Sequence, residues 1–197
     1  MRERISEDRA GLADEEIVRR ILSGEEDLFE PLVRRYQGRV SSHVARMIGN
    51  REEALDLTQE IFLKVFQALD RYDARYKFST WLFRIAGNAA IDQLRKRRLR
   101  TVPMETVDED GKVSSAEYKS SELDAYGVLR NTQRGDAIAR AIDGLPVEFR
   151  ELITLRHFTG LSYEEIARVK GMPLGTVKNK LFRARAVLKD RLSGELS

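Results

Sequence analysis

The chain has 197 residues, 34% of them charged and 42% apolar, with four prolines, no cysteine and a net charge of +3. That length holds one large domain or two small ones, and the composition suits a soluble helical protein. Without cysteine there are no disulfides and no thiolate chemistry, and the two histidines, His43 and His157, cannot form a zinc site without carboxylate help. No run of roughly eighteen apolar residues predicts a membrane span, and the N-terminus lacks the hydrophobic core of a signal peptide, so a cytoplasmic location is expected.

Residues 1–13 read as a tail. Helical periodicity then dominates from Asp14 to Arg98, and no alternating strand pattern occurs. The expected helices cover 14–22, 26–48, 51–69 and 80–98, with Pro31 in the early turns of the second, where it is tolerated or bends the axis. On the third helix Ala54, Leu57, Ile61 and Val65 share one side and supply core contacts. Asp56, Gln59, Glu60, Leu63 and Gln67 cluster on the other, and a leucine amid carboxylates and amides points to a partner-binding face.

Further on, Tyr72, Tyr76, Phe78, Trp81 and Phe83 are interleaved with Arg71, Arg75, Lys77 and Arg84. Aromatic faces stack on unpaired bases while cations follow phosphates, which is how proteins hold single-stranded nucleic acid. Trp81, Leu82 and Ile85 also fit core positions at helical spacing. The tyrosines and Phe78 fall in a connecting loop, where burial is less obligatory. The basic run Arg95–Arg100 ends the helix, and its place after the aromatic cluster favours phosphate contact by residues such as Arg95 and Arg98.

The composition changes over 101–131, which is polar and acidic and predicts a flexible linker. It serves either as a passive spacer or as an anionic tether that occupies a positive channel. A second domain follows over 132–197, with helices at 136–143 and 147–158. Ser162 and Glu165 then form a capping box, predicting a helix from Tyr163 that buries Ile166 and Ala167 and stops at Gly171. Pro173 suits the first position of another helix. There Val177, Leu181, Ala184 and Leu188 make a core stripe, whereas Gly175, Asn179, Phe182 and Ala186 lie opposite, flanked by Lys178 and Arg183. This is the pattern of a helix-turn-helix whose second helix reads a major groove. The expected fold is all-α: two small helical domains joined by a flexible acidic linker, the C-terminal one containing the helix-turn-helix.

One module that grips unpaired bases, a leash, and one that reads duplex DNA together resemble the extracytoplasmic-function (group 4) bacterial sigma factors. Asp56-Leu-Thr-Gln-Glu-Ile-Phe62 is similar to that family's core-polymerase-binding motif, Phe78-Ser-Thr-Trp-Leu-Phe-Arg-Ile-Ala-Gly-Asn88 to its promoter-melting helix, and Leu161–Ala167 with Gly175-Thr-Val-Lys178 to its helix-turn-helix. The motifs stand in family order. The resemblance implies that Asp56, Gln59, Glu60 and Leu63 dock on core RNA polymerase. It implies that 14–100 is a region 2-like domain that melts the −10 element, with the Tyr72–Ser79 loop receiving a flipped base and Asn88 reading a neighbour. Tyr72, Tyr76, Lys77, Phe78, Trp81, Arg84, Asn88, Arg95 and Arg98 are then its contacts to single-stranded promoter DNA. It also implies a region 4-like domain over 132–197 that meets the duplex −35 element through Thr176, Lys178, Asn179, Phe182, Arg183 and Arg185.

The resemblance further implies an anti-sigma factor as partner, no cofactor and no catalysis of its own. Two departures stand out: Asn179 replaces the serine many members carry, and the loop Asp73-Ala-Arg-Tyr76 is less glycine-rich than in some relatives. The alternative reading is a free-standing DNA-binding regulator that uses only the helix-turn-helix. An enzyme is the poorest reading, because no glycine-rich phosphate loop, nucleophile elbow or metal-ligand cluster occurs.

Overall fold

The computed structural model describes residues 12–101 and 133–195. The expected tail over 1–13 and linker over 101–131 therefore lie outside the described residues, apart from Leu12, Ala13 and Thr101. Among the described residues every helix or turn of helix is α or 3-10: α1 (Asp14–Leu22), a 3-10 turn (Glu26–Leu28), α2 (Phe29–Ile48), α3 (Arg51–Gln67), a second 3-10 turn (Leu69–Arg71), α4 (Phe78–Thr101), α5 (Gln133–Asp143), α6 (Val147–His157), α7 (Tyr163–Lys170) and α8 (Leu174–Glu195).

Most boundaries follow local chemistry. Pro31 falls at the third position of α2, where a backbone N–H would have no partner within the helix, so the helix accommodates it. The helix expected from residue 26 instead starts at Phe29, after the tighter turn. Gly49 ends α2 in the left-handed conformation, φ 75°, with its N–H donating to Ala45 O at 2.9 Å. Asn50 then caps α3 by accepting from the Glu53 N–H at 3.2 Å. The third helix closes at Gln67, short of the expected residue 69, because Leu69 turns inward on the 3-10 segment and is buried.

Helices α2, α3 and α4 pack on one another and α1 covers α2, burying Ile17, Val18 and Ile21. Helices α5, α6 and α7 gather around α8 in a second cluster. The expected two helical units are present, but they are not held apart: α2 meets α5 and α6, α4 meets α7, and the buried apolar residues of both clusters form one continuous core. Composition and periodicity describe each helix's own faces, and this contact is made by residues far apart in the chain. Among the described residues no helix is long and apolar enough to cross a membrane.

Candidate functional site

Three surfaces carry the residues singled out by the sequence. On α3 the stripe Ala54, Leu57, Ile61 and Val65 is buried, and Asp56, Gln59, Glu60 and Leu63 face outward, Leu63 with 63% of its surface exposed. Leu55 and Phe66 are also exposed large apolar residues on this helix. They were missed because each breaks the helical stripe singly, although Phe66 is steadied from below by Phe29, ring centroids 4.9 Å apart.

The second surface is the loop before α4 and the helix's outer side. Phe78 begins α4 and is fully buried, not a loop residue, so it cannot stack on a base in this arrangement. Its ring is the centre of an aromatic cluster, 5.6 Å from Tyr36, 5.6 Å from Tyr72 and 5.8 Å from Trp81. Tyr72 is half-buried and its hydroxyl donates to Tyr76 O at 2.5 Å, which closes the loop on itself. Burial raises the Tyr72 phenol above its ordinary range, and the carboxylates of Glu15, Asp14 and Asp73 add to that. The loop is further braced by Arg75, which pairs with Asp73 at 2.6 Å. Tyr76 and Lys77 remain exposed at its tip, and Trp81 is half-buried. Arg84, Asn88, Arg95 and Arg98 are exposed along α4, with Arg95 also paired to Asp92 at 3.0 Å.

The third surface belongs to α7 and α8. Ser162 and Glu165 make both hydrogen bonds of the capping box, Glu165 N to Ser162 Oγ at 3.1 Å and Ser162 N to Glu165 Oε2 at 2.7 Å. Gly171 ends α7 in the left-handed conformation, φ 61°. Ile166 is buried, but Ala167 is only partly so; Val169 fills the core instead. Pro173 lies one residue before α8 and its carbonyl accepts from the Val177 N–H at 3.1 Å. On α8 Val177, Leu181 and Ala184 are fully buried and Leu188 partly, while Lys178, Asn179, Phe182, Arg183 and Arg185 face outward and Thr176 is partly covered.

Phe182 has 74% of its surface exposed. Lys180, between outward neighbours, turns back to pair with Glu148. Arg185 donates to the Tyr163 hydroxyl at 2.8 Å, and that hydrogen bond holds the phenol below its usual range. The Arg156 guanidinium also lies over the Tyr163 ring, 5.0 Å from its centre. Tyr163 was not foreseen as part of this surface; its place at the start of α7, 22 positions from Arg185, left no local signal.

Among the described residues no group of three or more histidines, cysteines or carboxylates gathers to hold a metal ion. The chain matches the family models for Sigma-70 region 2 over residues 32–100 and Sigma-70, region 4, over residues 135–188. It is 33% identical to the RNA polymerase sigma-H factor of Pseudomonas aeruginosa over 91% of this chain and 93% of that one. It is 34% identical to the ECF RNA polymerase sigma-E factor of Escherichia coli K12, covering 92% and 95%.

The chain belongs to the extracytoplasmic-function sigma factors.

Among solved structures, this sigma factor is similar to the sigma factor RpoE from Bartonella quintana, crystallised with the anti-sigma factor NepR, with a TM-score of 0.63, 25% identity, and coverage of 84% of this chain and 96% of that one. The region 2 match contains the α3 face and the loop before α4, and the region 4 match contains α7 and most of α8. As a sigma factor the chain is a transcription initiation factor: it binds core RNA polymerase and directs it to promoters.

Proposed function

We propose that the described parts of 14–100 and 132–197 act as two promoter-reading domains that divide the work of initiation. The α3 face of Asp56, Gln59, Glu60 and Leu63 docks on core polymerase, with Leu55 and Phe66 widening its apolar centre. The observation that carries this reading is Leu63, 63% exposed amid carboxylate and amide side chains; a free-standing DNA-binding regulator has no need of such a face. Tyr76 and Lys77 at the loop tip, with Tyr72 and Trp81 beside them, receive a base extruded from the −10 element. Extrusion costs a few kcal/mol, which stacking and edge hydrogen bonds offset. Arg84 and Asn88 contact the neighbouring strand, and Arg95 and Arg98 its phosphates. Phe78 supports this pocket from beneath.

In the second domain α7, Gly171 and α8 act as a helix-turn-helix. Lys178, Asn179, Phe182 and Arg183 enter the −35 major groove, Thr176 and Arg185 approach the flanking backbone, and Asn179 can make a bidentate contact with adenine. An anti-sigma factor as partner is supported by the relative crystallised with one.

In vitro transcription with core polymerase tests the whole scheme. The added protein should direct initiation at a distinct promoter set. Asp56→Ala or Gln59→Ala should weaken core binding, whereas Lys178→Ala or Arg183→Ala should spare it and weaken promoter use by about 1–3 kcal/mol per specific contact. Tight specific duplex binding without polymerase, indifferent to Asp56→Ala, would instead mark a free-standing regulator.

A further inference from the structure

Lys178, Asn179, Phe182 and Arg183 point outward from α8, yet Lys180, in their midst, bends back toward α6 and gives its ammonium to the Glu148 carboxylate. On the helix Lys180 shares one side with Thr176 and Arg183, at i−4 and i+3. Both neighbours are proposed to meet the −35 duplex, so an unheld Lys180 has the same phosphates within reach. Its side chain keeps 31% of its surface exposed and that of Glu148 keeps 44%, which leaves the pair open to a competing anion.

The carboxylate is the fixed member of the pair. Glu148 stands in the first turn of α6, where the open N–H groups of the helix favour a negative charge. Helix α6 packs on α8, and its start is tied to the end of α5, because Arg150 Nη2 donates to the Asp143 carbonyl and, at 3.3 Å, to that of Leu145. The lysine, on its flexible four-carbon stem, is the member that moves. A pair this exposed adds little to stability. Its consequence is where it puts a charge. Held to α6, the ammonium is neutralised beside the duplex-reading side chains; released, it is one more cation for the DNA backbone.

We infer that Glu148 restrains duplex affinity by acting through Lys180: the pair withholds one phosphate contact from α8, and DNA gains that contact only by displacing the carboxylate. A phosphate contact carries no base information. Glu148 therefore sets how strongly the chain holds duplex, while Asn179 and its outward neighbours set which duplex it holds. Both partners belong to the second cluster, on α6 and α8. The inference rests on the −35 role proposed for α8.

Core polymerase assembled with each full-length chain tests it, by titration of a fluorescein-labelled promoter duplex, drawn from the start sites the wild type directs, over a series of salt concentrations. Glu148→Gln should tighten binding about twofold to fivefold and steepen the fall of log affinity with log salt by about 0.9. The gain should be the same on that duplex with its −35 bases scrambled. It should also need the lysine: Lys180→Gln alone and Lys180→Gln with Glu148→Gln should bind alike. Equal affinity and equal salt slope for Glu148→Gln and wild type, with Lys178→Ala weakening binding in the same assay, overturns the restraint alone. A gain of the same size in the Lys180→Gln background overturns Lys180 as its agent, since the loss of a nearby negative charge then accounts for it. A gain confined to the intact −35 bases overturns the phosphate as target. Binding indifferent to both Lys178→Ala and Arg183→Ala overturns instead the −35 role of α8.

Discussion

Phe78 shows how much depends on a single ring that never meets solvent. It is fully buried and contacts Tyr36, Tyr72 and Trp81, so the loop tip rests on it. Truncating a buried phenylalanine removes its transfer free energy and leaves a cavity. Phe78→Ala should therefore destabilise the protein by about 3–5 kcal/mol, measured by denaturant unfolding, and should lower strand binding through loss of loop order. Phe182, 74% exposed on α8, is the contrasting case: its ring supports no core. Sequence spacing placed both phenylalanines near DNA and could not separate them, since burial of Phe78 depends on Tyr36 from a helix 42 positions earlier.

At the scale of elements, the start of α7 combines two duties. Ser162 accepts the Glu165 N–H and Glu165 accepts the Ser162 N–H, which satisfies donors that a helix terminus leaves open. Burial tends to raise the Glu165 carboxyl, but the Ser162 N–H and the Lys77 ammonium outweigh it and hold the group below its usual range. Ser162→Ala should cost about 1 kcal/mol by thermal unfolding, because the Glu165 N–H loses its acceptor while the backbone N–H of residue 162 still holds the carboxylate. This capping box, the Gly171 stop and the buried stripe of α8 were legible because each depends on residues within one or two turns. The start of α4 was not: a helix beginning at Phe78 has its first turn fixed by packing, with Ser79 and Thr80 buried, and polar residues at such positions suggest a loop when read alone. Likewise the α3 stripe was legible from periodicity, whereas the outward Leu55 and Phe66 were not, since a scattered apolar residue carries no period.

Across the whole molecule, the contact between clusters was invisible in the sequence because its members stand up to 120 positions apart, as Arg39 and Thr159 do. His43 lies on the same side of α2 as Arg39 and Met47, fully buried, its ring 5.8 Å from Phe83, with no hydrogen-bond partner for either nitrogen. Burial first, then the Lys170 and Arg46 charges, push its pKa down from 6.5 to about 3. A histidine held neutral in the folded state contributes fully above its unfolded value of 6.5 and loses that contribution as pH falls from there toward about 3. The melting temperature should thus drop between about pH 7 and about pH 5, and His43→Leu should flatten that drop. His157 is also held down, by burial first and then by Arg185 and Arg156, so the comparison must be with the His43 variant and not with a buffer series alone. An unchanged slope in His43→Leu would remove His43 from the account.

The contact between the clusters also ties their stabilities together: with Arg150 donating to Met47 O and Gly87 lying against the buried Glu151, loosening one cluster strips buried partners from the other.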